Sequence, residues 1–347
     1  MKYLKKLPDA DELKIKLSLT EKQKNNRVEL LNEIKSIFDC IDNRKIIIIG
    51  PCSADNEKAV LEYMLKLKKI SETVKNNLLI IPRIYTSKPR TNGTGYKGLI
   101  HRPDSNSVND DIYDGIVATR KLHLKVINET GMFGADEMLY PEINYYISDL
   151  LAYTAVGARS VENQQHRLVS SGLDMPVGMK NPTSGDMDVM LNAIYAAHHS
   201  QHFIYHGYEC ESEGNKYAHA ILRGYTDLSG IQHPNYHFED ITELYDRFQK
   251  NNFKFQSVII DCNHSNSRKH YDEQVRIGKE IFNLCKEYKY ISTLVKGIMV
   301  ESYLEDGSQK IGENIYGKSI TDPCIGWEKT KRFIKELNEM LSDKNDI

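Results

Sequence analysis

The stretch IIIIGPCSADN, residues 46–56, decides how the fold of this chain is interpreted. Four consecutive isoleucines, Ile46 to Ile49, are typical of a strand that is buried on both faces, as in a parallel sheet. Gly50 and Pro51 end this strand, and a thiol, Cys52, follows at once. A thiol held just beyond a rigid buried strand is well placed for chemistry, so the question is which other side chains lie at matching positions.

The bulk composition is that of a globular chain, and it argues against a nucleic-acid-binding, membrane or secreted protein. The chain has 347 residues, of which 40% are hydrophobic and 27% are charged, with a net charge of −2. A pI near 6.6 gives no reason to expect nucleic acid or an anionic membrane as a partner. No apolar run approaches the ~20 residues of a membrane span, and the N-terminal residues lack a signal-peptide core. Six scattered cysteines are expected to be reduced thiols, which predicts a cytoplasmic protein.

Strand and helix patterns alternate along the chain. An amphipathic helix is predicted at 21–38, and further helical stretches include 57–75 and 111–129. The apolar runs interpreted as strands one to eight are 46–49, 78–85, 132–138, 156–161, 176–181, 203–206, 258–264 and 297–303. Such alternation predicts a parallel sheet covered by helices.

Eight such units over about 250 residues fit a (β/α)₈ TIM barrel of the α/β class. An open, doubly wound sheet would use similar units, but no G-x-G-x-x-G fingerprint opens a first helix. We expect an N-terminal extension and helix over 1–44 and a catalytic barrel over 45–345. A ninth apolar run, 218–224, follows the sixth closely, so we also expect a short hairpin inserted after strand six, with 207–217 as its turn.

The C-terminal ends of the predicted strands share one property, which is a charged or metal-binding side chain. Catalytic groups of a (β/α)₈ barrel come from these ends and from the loops just beyond them. The residues at these positions are Cys52, Arg83, Lys88, Arg90, Glu137, Arg159, Lys180, Arg223, His264 and Glu301. A charge inside an apolar run costs several kcal/mol unless it is paired, so ligands or counter-charges are expected here.

One group of these residues suits a divalent transition metal. Cys52, His264 and Glu301, with Asp322 from the loop after strand eight, offer sulfur, nitrogen and oxygen donors together. Calcium or magnesium would prefer oxygen donors only. Each residue alone is more often structural, but strands one, seven and eight adjoin when a barrel closes. The donor set leaves manganese, iron, cobalt and zinc open.

The second group is cationic. Its members are Arg83, Lys88, Arg90, Arg159, Lys180 and Arg223. Any one of them could be a salt-bridged or solvated residue, but several at one mouth of a negatively charged protein indicate a small polyanionic substrate. Two phosphate groups would account for so many cations.

With these residues in place, the chain resembles the type I 3-deoxy-D-arabino-heptulosonate 7-phosphate (DAHP) synthases, in their aromatic-amino-acid-regulated bacterial and fungal group. The segments that carry the resemblance are GPCS (50–53), KPRT (88–91), YKGLI (96–100), GAR (157–159), PVGMKN (176–181), ILRG (221–224), HSNS (264–267), VES (300–302) and GKSITDPCIGW (317–327). They run in the family's order from about residue 45 to 330. The resemblance implies condensation of phosphoenolpyruvate (PEP) with erythrose 4-phosphate, the first step of the shikimate pathway.

The resemblance also implies roles for single residues. Cys52, His264, Glu301 and Asp322 would be ligands of one divalent metal ion. The PEP contacts would be Arg83, Lys88, Arg159, Lys180 and Arg223, while Arg90 and Thr91 would hold the phosphate of erythrose 4-phosphate. Lys88, Glu137 and His264 are the expected catalytic residues, with Lys88 as the proton donor. The family implies a homodimer or homotetramer.

The match weakens in two places, which leaves alternatives open. Residues 54–56, 91–95 and 101–103 depart from the family's pattern near the expected aldose, so a paralogue that uses another aldose phosphate, such as arabinose 5-phosphate, is the main alternative. A non-catalytic regulatory barrel is a remote one. The hairpin is shorter than in feedback-regulated members, and Asp174 stands nearby, so we expect weak or absent inhibition by phenylalanine, tyrosine or tryptophan.

Overall fold

A computed structural model describes residues 1–90, 95–107 and 109–342 of the chain. Its core is a ring of parallel strands surrounded by helices. In chain order, the described strands are β1 (Lys45–Gly50), β2 (Leu78–Pro82), β3 (Gly134–Glu137), β4 (Leu151–Val156), β5 (Val177–Lys180), β6 (Gln201–Tyr205), β7 (Tyr208–Ser212), β8 (Ala218–Leu222), β9 (Tyr225–Thr226), β10 (Gln232–His233), β11 (Val258–Asp261) and β12 (Val295–Glu301).

The helices alternate with these strands along most of the chain. In chain order, the described helices are α1 (Ala10–Lys16), α2 (Glu21–Phe38), α3 (Glu57–Val74), α4 (Ile112–Thr130), α5 (Pro141–Ile147), α6 (Gln164–Ser171), α7 (Met187–His198), α8 (Phe238–Lys250), α9 (Glu273–Glu287), α10 (Lys289–Leu294) and α11 (Trp327–Ser342). Within the described ranges, none of them is long and apolar enough to cross a membrane.

The large sheet has the strand order β2-β1-β12-β11-β8-β5-β4-β3, with parallel neighbours throughout. Its two edge strands, β2 and β3, are joined by a parallel bridge between Arg83, the residue after β2, and Ala135 of β3. The expected (β/α)₈ barrel is therefore confirmed.

The four isoleucines of β1 show how the barrel is filled. All four are fully buried, and because strand side chains alternate between faces they divide into two sets. Ile46 and Ile48 belong to the cluster inside the barrel, whereas Ile47 and Ile49 pack with the surrounding helices such as α3. An uninterrupted apolar run is what a strand covered on both faces requires.

The helix α2 covers the end of the barrel at which the strands begin. Thr20 and Gln23 form a capping box at its N-terminus, and its apolar face buries Ile34, Ile37 and Phe38 in the interior cluster. The division of the chain at residues 44 and 45 stays a prediction, although β1 begins at Lys45.

Two strand assignments made from the sequence are wrong. Strand four is β4, Leu151–Val156, and not 156–161, because Gly157 ends the buried segment and Arg159 is exposed. The run 203–206 is not the sixth barrel strand and 207–217 is not a turn. Instead, β6 pairs with β7 in a separate antiparallel hairpin.

The hairpin therefore precedes the sixth barrel strand, which is β8, and does not follow it. Residues His206 and Gly207 both have positive φ values, 52° and 76°, as a tight two-residue turn requires. Burial alternates along β6 because only one of its faces is covered, whereas every residue of β8 is buried.

Candidate active site

Three candidate metal ligands converge where β1 and β12 end side by side. Gly50 and Glu301 are register partners on these strands, so Cys52, two residues beyond β1, reaches the carboxylate of Glu301. Asp322 enters from the loop between β12 and α11. One donor atom from each of Cys52, Glu301 and Asp322 lies within 4.8 Å of the other two. The closest approach of Cys52 Sγ to Asp322 Oδ2 is 4.0 Å.

The electrostatics of this trio favour a cation as its occupant. Cys52 and Glu301 are buried, and burial followed by the nearby charge of Glu301 raises the pKa of the Cys52 thiol. Burial would also raise the pKa of Asp322, but His264, Lys269, Lys88 and Arg90 hold it at about 2. A soft sulfur beside two carboxylates is a donor set that suits a transition metal, so the residues present fit the expected ion.

His264, the fourth predicted ligand, is not among the donors that converge within the described part of the chain. Its Nδ1 lies 2.9 Å from Oδ2 of the buried Asp261, and its backbone has a φ of 55°. His264 nevertheless lies near Asp322, and its charge therefore helps to lower the pKa of that carboxyl group. Its role as a ligand stays a prediction.

Arg83 is the most deeply buried of the predicted substrate contacts, with 1% of its surface exposed. Its Nη2 donates to Glu301 Oε1 at 2.5 Å, and its guanidinium carbon lies 3.9 Å from the centre of the Tyr85 ring. Its Nε and Nη1 have no hydrogen-bond partner among the described residues. Buried donors are almost always satisfied in folded proteins, so these two indicate the position of a ligand.

Lys88 and Lys180 lie around the same tyrosine. Their Nζ atoms are 5.5 and 5.3 Å from the centre of the Tyr85 ring. Lys88 Nζ also lies 3.3 Å from Cys52 Sγ, which brings the cationic group into contact with the metal-type trio. The two predicted groups therefore form one site.

Glu137 supplies a negative charge in the cationic group. Its Oε2 accepts a hydrogen bond from Lys180 Nζ at 2.7 Å. Burial would raise the pKa of Glu137, but the charges of Lys180, Lys88 and Arg83 hold it at about 2. Gly157 makes room for this carboxylate, since a Cβ there would lie 2.8 Å from Glu137 Oε1.

Arg159 and Arg223 complete the cationic mouth. Neither guanidinium forms an ion pair with a carboxylate of the described residues, and burial followed by the charge of Arg159 lowers the pKa of Arg223. Arg90 lies near Asp322, and its charge helps to lower the pKa of that carboxyl group. Thr91 lies outside the described residues.

Sequence reasoning missed three residues of this site. Tyr85 stands two positions after Arg83, so strand periodicity could have placed both side chains on one face. Asp261 faces His264 from three residues earlier. Asn263, which lies within the segment DCNH (261–264), donates a hydrogen bond to Glu301 Oε2. A single asparagine carries no sequence signal that would identify it as a site residue.

The fold and the site define a class of protein: a (β/α)₈-barrel enzyme with a cationic group beside a metal-type cluster at the C-terminal ends of its strands. Comparison with known proteins gives the family. The chain belongs to the DAHP synthetase I family, whose model matches residues 17–335. The DAHP synthase expected from the sequence is thereby confirmed.

Individual relatives agree with this assignment. The chain is 37% identical over 321 residues to a phospho-2-dehydro-3-deoxyheptonate aldolase from Haemophilus influenzae, covering 89% of this chain and 84% of that protein. It is 36% identical over 334 residues to the Trp-sensitive enzyme of the same name from Escherichia coli O157:H7, covering 94% and 92%. A solved structure of a phospho-2-dehydro-3-deoxyheptonate aldolase from Francisella tularensis superposes with a TM-score of 0.90 at 32% identity, covering 99% and 98%.

Proposed function

We propose that this DAHP synthase condenses PEP with D-erythrose 4-phosphate and water to give DAHP and phosphate. The observation that carries the proposal is the environment of Arg83. This buried residue contacts Glu301 of the metal-type trio, and two of its donors have no partner among the described residues. Each unsatisfied buried donor costs about 1–3 kcal/mol. An anionic substrate that accepts hydrogen bonds from these donors removes this cost, which supports PEP as the ligand.

The charges around Arg83 support the same substrate. PEP carries a phosphate and a carboxylate, and Arg83, Lys88, Arg159, Lys180 and Arg223 are its proposed contacts. Burial is the main cause of the lowered pKa of Arg223, and the positive charge of Arg159 lowers it further, so the two guanidinium groups repel each other. A dianion bound between them relieves this repulsion. Glu137 holds Lys180 in place through a hydrogen bond of 2.7 Å.

The proposed reaction begins with attack of PEP C3 on the aldehyde carbon of erythrose 4-phosphate. A divalent ion held by Cys52, Glu301 and Asp322, with His264 as the predicted fourth ligand, would supply Lewis-acid polarisation of that aldehyde. Arg90 and Thr91 hold the phosphate of the aldose and so orient it. Lys88, at the junction of the two groups, donates a proton to the new alkoxide.

The second half of the reaction uses the cationic group. Water adds to C2 of the former PEP, and Glu137 and His264, the remaining proposed catalytic residues, flank the site where its proton is released. Phosphate then leaves, and the positive charges of Arg159, Lys180 and Arg223 stabilise it.

The experiment that tests this proposal measures PEP consumption. The purified chain is stripped of metal and loaded separately with Mn²⁺, Fe²⁺, Co²⁺ or Zn²⁺, and each sample receives erythrose 4-phosphate or arabinose 5-phosphate. We expect rapid PEP loss with erythrose 4-phosphate that stops after chelation. Consumption with arabinose 5-phosphate alone would contradict the proposed aldose and favour the alternative paralogue.

The proposal extends to the setting of the enzyme. We expect a homodimer or homotetramer, which light scattering on the eluting protein measures directly. The six cysteines are all free, which agrees with the expected cytoplasmic location.

A further inference from the structure

A pair of reactive side chains, separate from the active site, lies at the opposite end of the barrel. Cys40 follows α2 by two residues, and Lys296 is the second residue of β12. Lys296 Nζ donates a hydrogen bond to Cys40 Sγ over 2.8 Å. These two residues are 256 positions apart in the sequence, so the fold alone brings them together.

The environment of Lys296 makes the thiol its main partner. The lysine is 2% exposed, and within the described residues its amine has no carboxylate at ion-pair distance. Burying an amine without a counter-charge costs free energy. No ion pair offsets this cost, so the packing of the fold holds the amine against the sulfur. Cys40 is fixed as well, with a φ of 59° and thiol contacts to the carbonyl oxygens of Phe38 and Thr293.

The pair is accessible to small molecules. Cys40 is exposed, and a cleft of about 750 Å³ opens over both residues. Its rim includes Arg44, Asn77 and Lys289. A small oxidant can therefore reach the sulfur, while the nitrogen stays shielded behind it.

We propose that Cys40 and Lys296 are a modification site at which peroxide produces a covalent sulfur–nitrogen cross-link. In the first step, peroxide oxidises the Cys40 thiol to a sulfenic acid and is itself reduced to water. In the second step, the ammonium group of Lys296 releases a proton to solvent, and the resulting amine attacks the sulfur. An S–N bond forms, and the hydroxyl leaves with an amine proton as water. One peroxide is consumed, two waters are released, and the protein loses two hydrogens besides the proton released to solvent.

This cross-link ties α2 to β12 at the base of the barrel. The tie closes a large loop of chain, which restricts the unfolded state in the way that a disulfide does. The oxidised protein should consequently unfold at a temperature several degrees above that of the reduced protein. A thiol reductant reverses the shift because it cleaves the S–N bond.

The test is peptide mapping of the full-length protein after treatment with hydrogen peroxide in the presence of a chelator. We expect a linked pair of peptides that contain Cys40 and Lys296, two hydrogens lighter than their sum, and lost on reduction. Cys210 is an internal control, since it is also partly accessible but its described contacts are backbone carbonyls. It should oxidise without forming a link.

Two variants make the result decisive. Cys40→Ser removes an exposed thiol and should abolish both the link and the shift in unfolding temperature. Lys296→Arg keeps the charge but removes the attacking amine, so dimedone should trap the sulfenic acid of Cys40 more efficiently than in the wild-type protein. Oxidised Cys40 with unmodified Lys296, or equal dimedone labelling in both proteins, would overturn the proposal.

Discussion

Tyr85 is the residue around which the cationic part of the active site is arranged. Arg83, Lys88 and Lys180 all lie within 5.5 Å of the centre of its ring, and its hydroxyl group contacts Met299 Sδ at 3.6 Å. An aromatic face attracts cations without neutralising them. Tyr85 can therefore help to hold three positive charges together without neutralising them.

This arrangement predicts different effects for two substitutions of Tyr85. Tyr85→Leu removes the aromatic face, and we expect the KM for PEP to rise about tenfold, since each desolvated cation–π contact is worth up to about 2 kcal/mol. Tyr85→Phe keeps the face and should change KM by less than about threefold. Steady-state kinetics with circular dichroism as a check on folding measure both. Equal KM values for the two variants would contradict this role of the ring.

Lys88 lies 3.3 Å from Cys52 Sγ and is the proposed proton donor. Lys88→Met should lower kcat by about 100-fold or more, because general acid catalysis typically contributes that much. The bound metal, measured by elemental analysis, should stay at the wild-type level. Lys125→Met is the matched control, since Lys125 is partly exposed on α4, outside the active site, and pairs with Glu57. Unchanged turnover in Lys88→Met would remove Lys88 from the mechanism.

Asp55 gives the enzyme a predicted pH dependence of stability. Burial raises its pKa to about 6, and its Oδ1 has no hydrogen-bond partner among the described residues. Because the folded-state pKa lies above the unfolded value, the favourable contribution to stability is present at low pH and is lost as pH rises through about 6. A shift of this size corresponds to about 2–3 kcal/mol.

The variant Asp55→Asn removes this titration. We expect its unfolding temperature, relative to that of the wild-type protein, to increase between pH 4.5 and pH 7.5 (about one unit or more on either side of the folded-state pKa). Differential scanning calorimetry at several pH values measures the trend. Asp246→Asn, at an exposed position, should show no such trend. If the difference in unfolding temperature between Asp55→Asn and the wild-type protein did not change with pH, the raised pKa of Asp55 would be contradicted.

At the scale of elements, the hairpin of β6 and β7 bears on regulation. Tyr205 donates a hydrogen bond to Pro141 O at 2.7 Å, and the Tyr145 ring packs against Tyr205 and His206 with centroid distances of 5.9 and 4.1 Å. The hairpin therefore packs directly on α5 with its own aromatic side chains. Asp174, expected to remodel this region, instead pairs with Arg27 of α2 at 2.7 Å.

This packing supports the prediction that aromatic amino acids inhibit the enzyme weakly or not at all. The rings of Tyr145, Tyr205 and His206, which all belong to this chain, pack against one another on this side of α5. Initial rates with phenylalanine, tyrosine and tryptophan, each added alone, provide the measurement. Strong inhibition by any one of them at sub-millimolar concentration would show that the prediction is wrong.

The elements also show what the sequence can and cannot predict. Uninterrupted apolar runs located β1 and β11 because strands buried on both faces have few alternatives. The run at 203–206 was assigned to the barrel because a short apolar segment does not reveal whether one face or both faces are covered. The segment Leu151–Val156 was overlooked because LAYTAV contains small and hydroxyl-bearing residues, and it is fully buried nonetheless.

The active site was predictable to a similar degree. Cys52, Glu301 and Asp322 were predicted as metal ligands, and their donor atoms do converge. The neighbours that hold these residues were not predicted. Contacts such as that of Asp261 with His264 depend on loop conformation, including the positive φ of His264, which sequence patterns do not encode.

At the scale of the whole molecule, the metal-type trio joins three parts of the chain. Cys52 follows β1, Glu301 ends β12, and Asp322 belongs to the long loop before α11. An ion that binds only the folded protein stabilises it by about 2.7 kcal/mol at a concentration 100 times its Kd. We thus expect Mn²⁺ to raise the unfolding temperature of the chelated protein by about 5 °C.

The control variants for this prediction are two cysteine substitutions. Cys52→Ala should abolish the shift, and Cys210→Ser should retain it. The shift should also shrink as pH falls, because the raised pKa of Cys52 means that a proton competes with the ion for the sulfur. If Mn²⁺ raised the unfolding temperature equally in both variants, the ion would bind at a site that does not include Cys52.

The closure of the barrel has a consequence for how the molecule opens. Among the described residues, β2 and β3 are joined by the isolated bridge between Arg83 and Ala135, whereas the other neighbouring strands share several paired residues. We therefore expect transient opening of the ring to begin at this seam. Arg83, whose backbone forms this bridge, is also a proposed PEP contact. We therefore expect an anion bound by the Arg83 side chain to restrain the opening of the barrel at this seam.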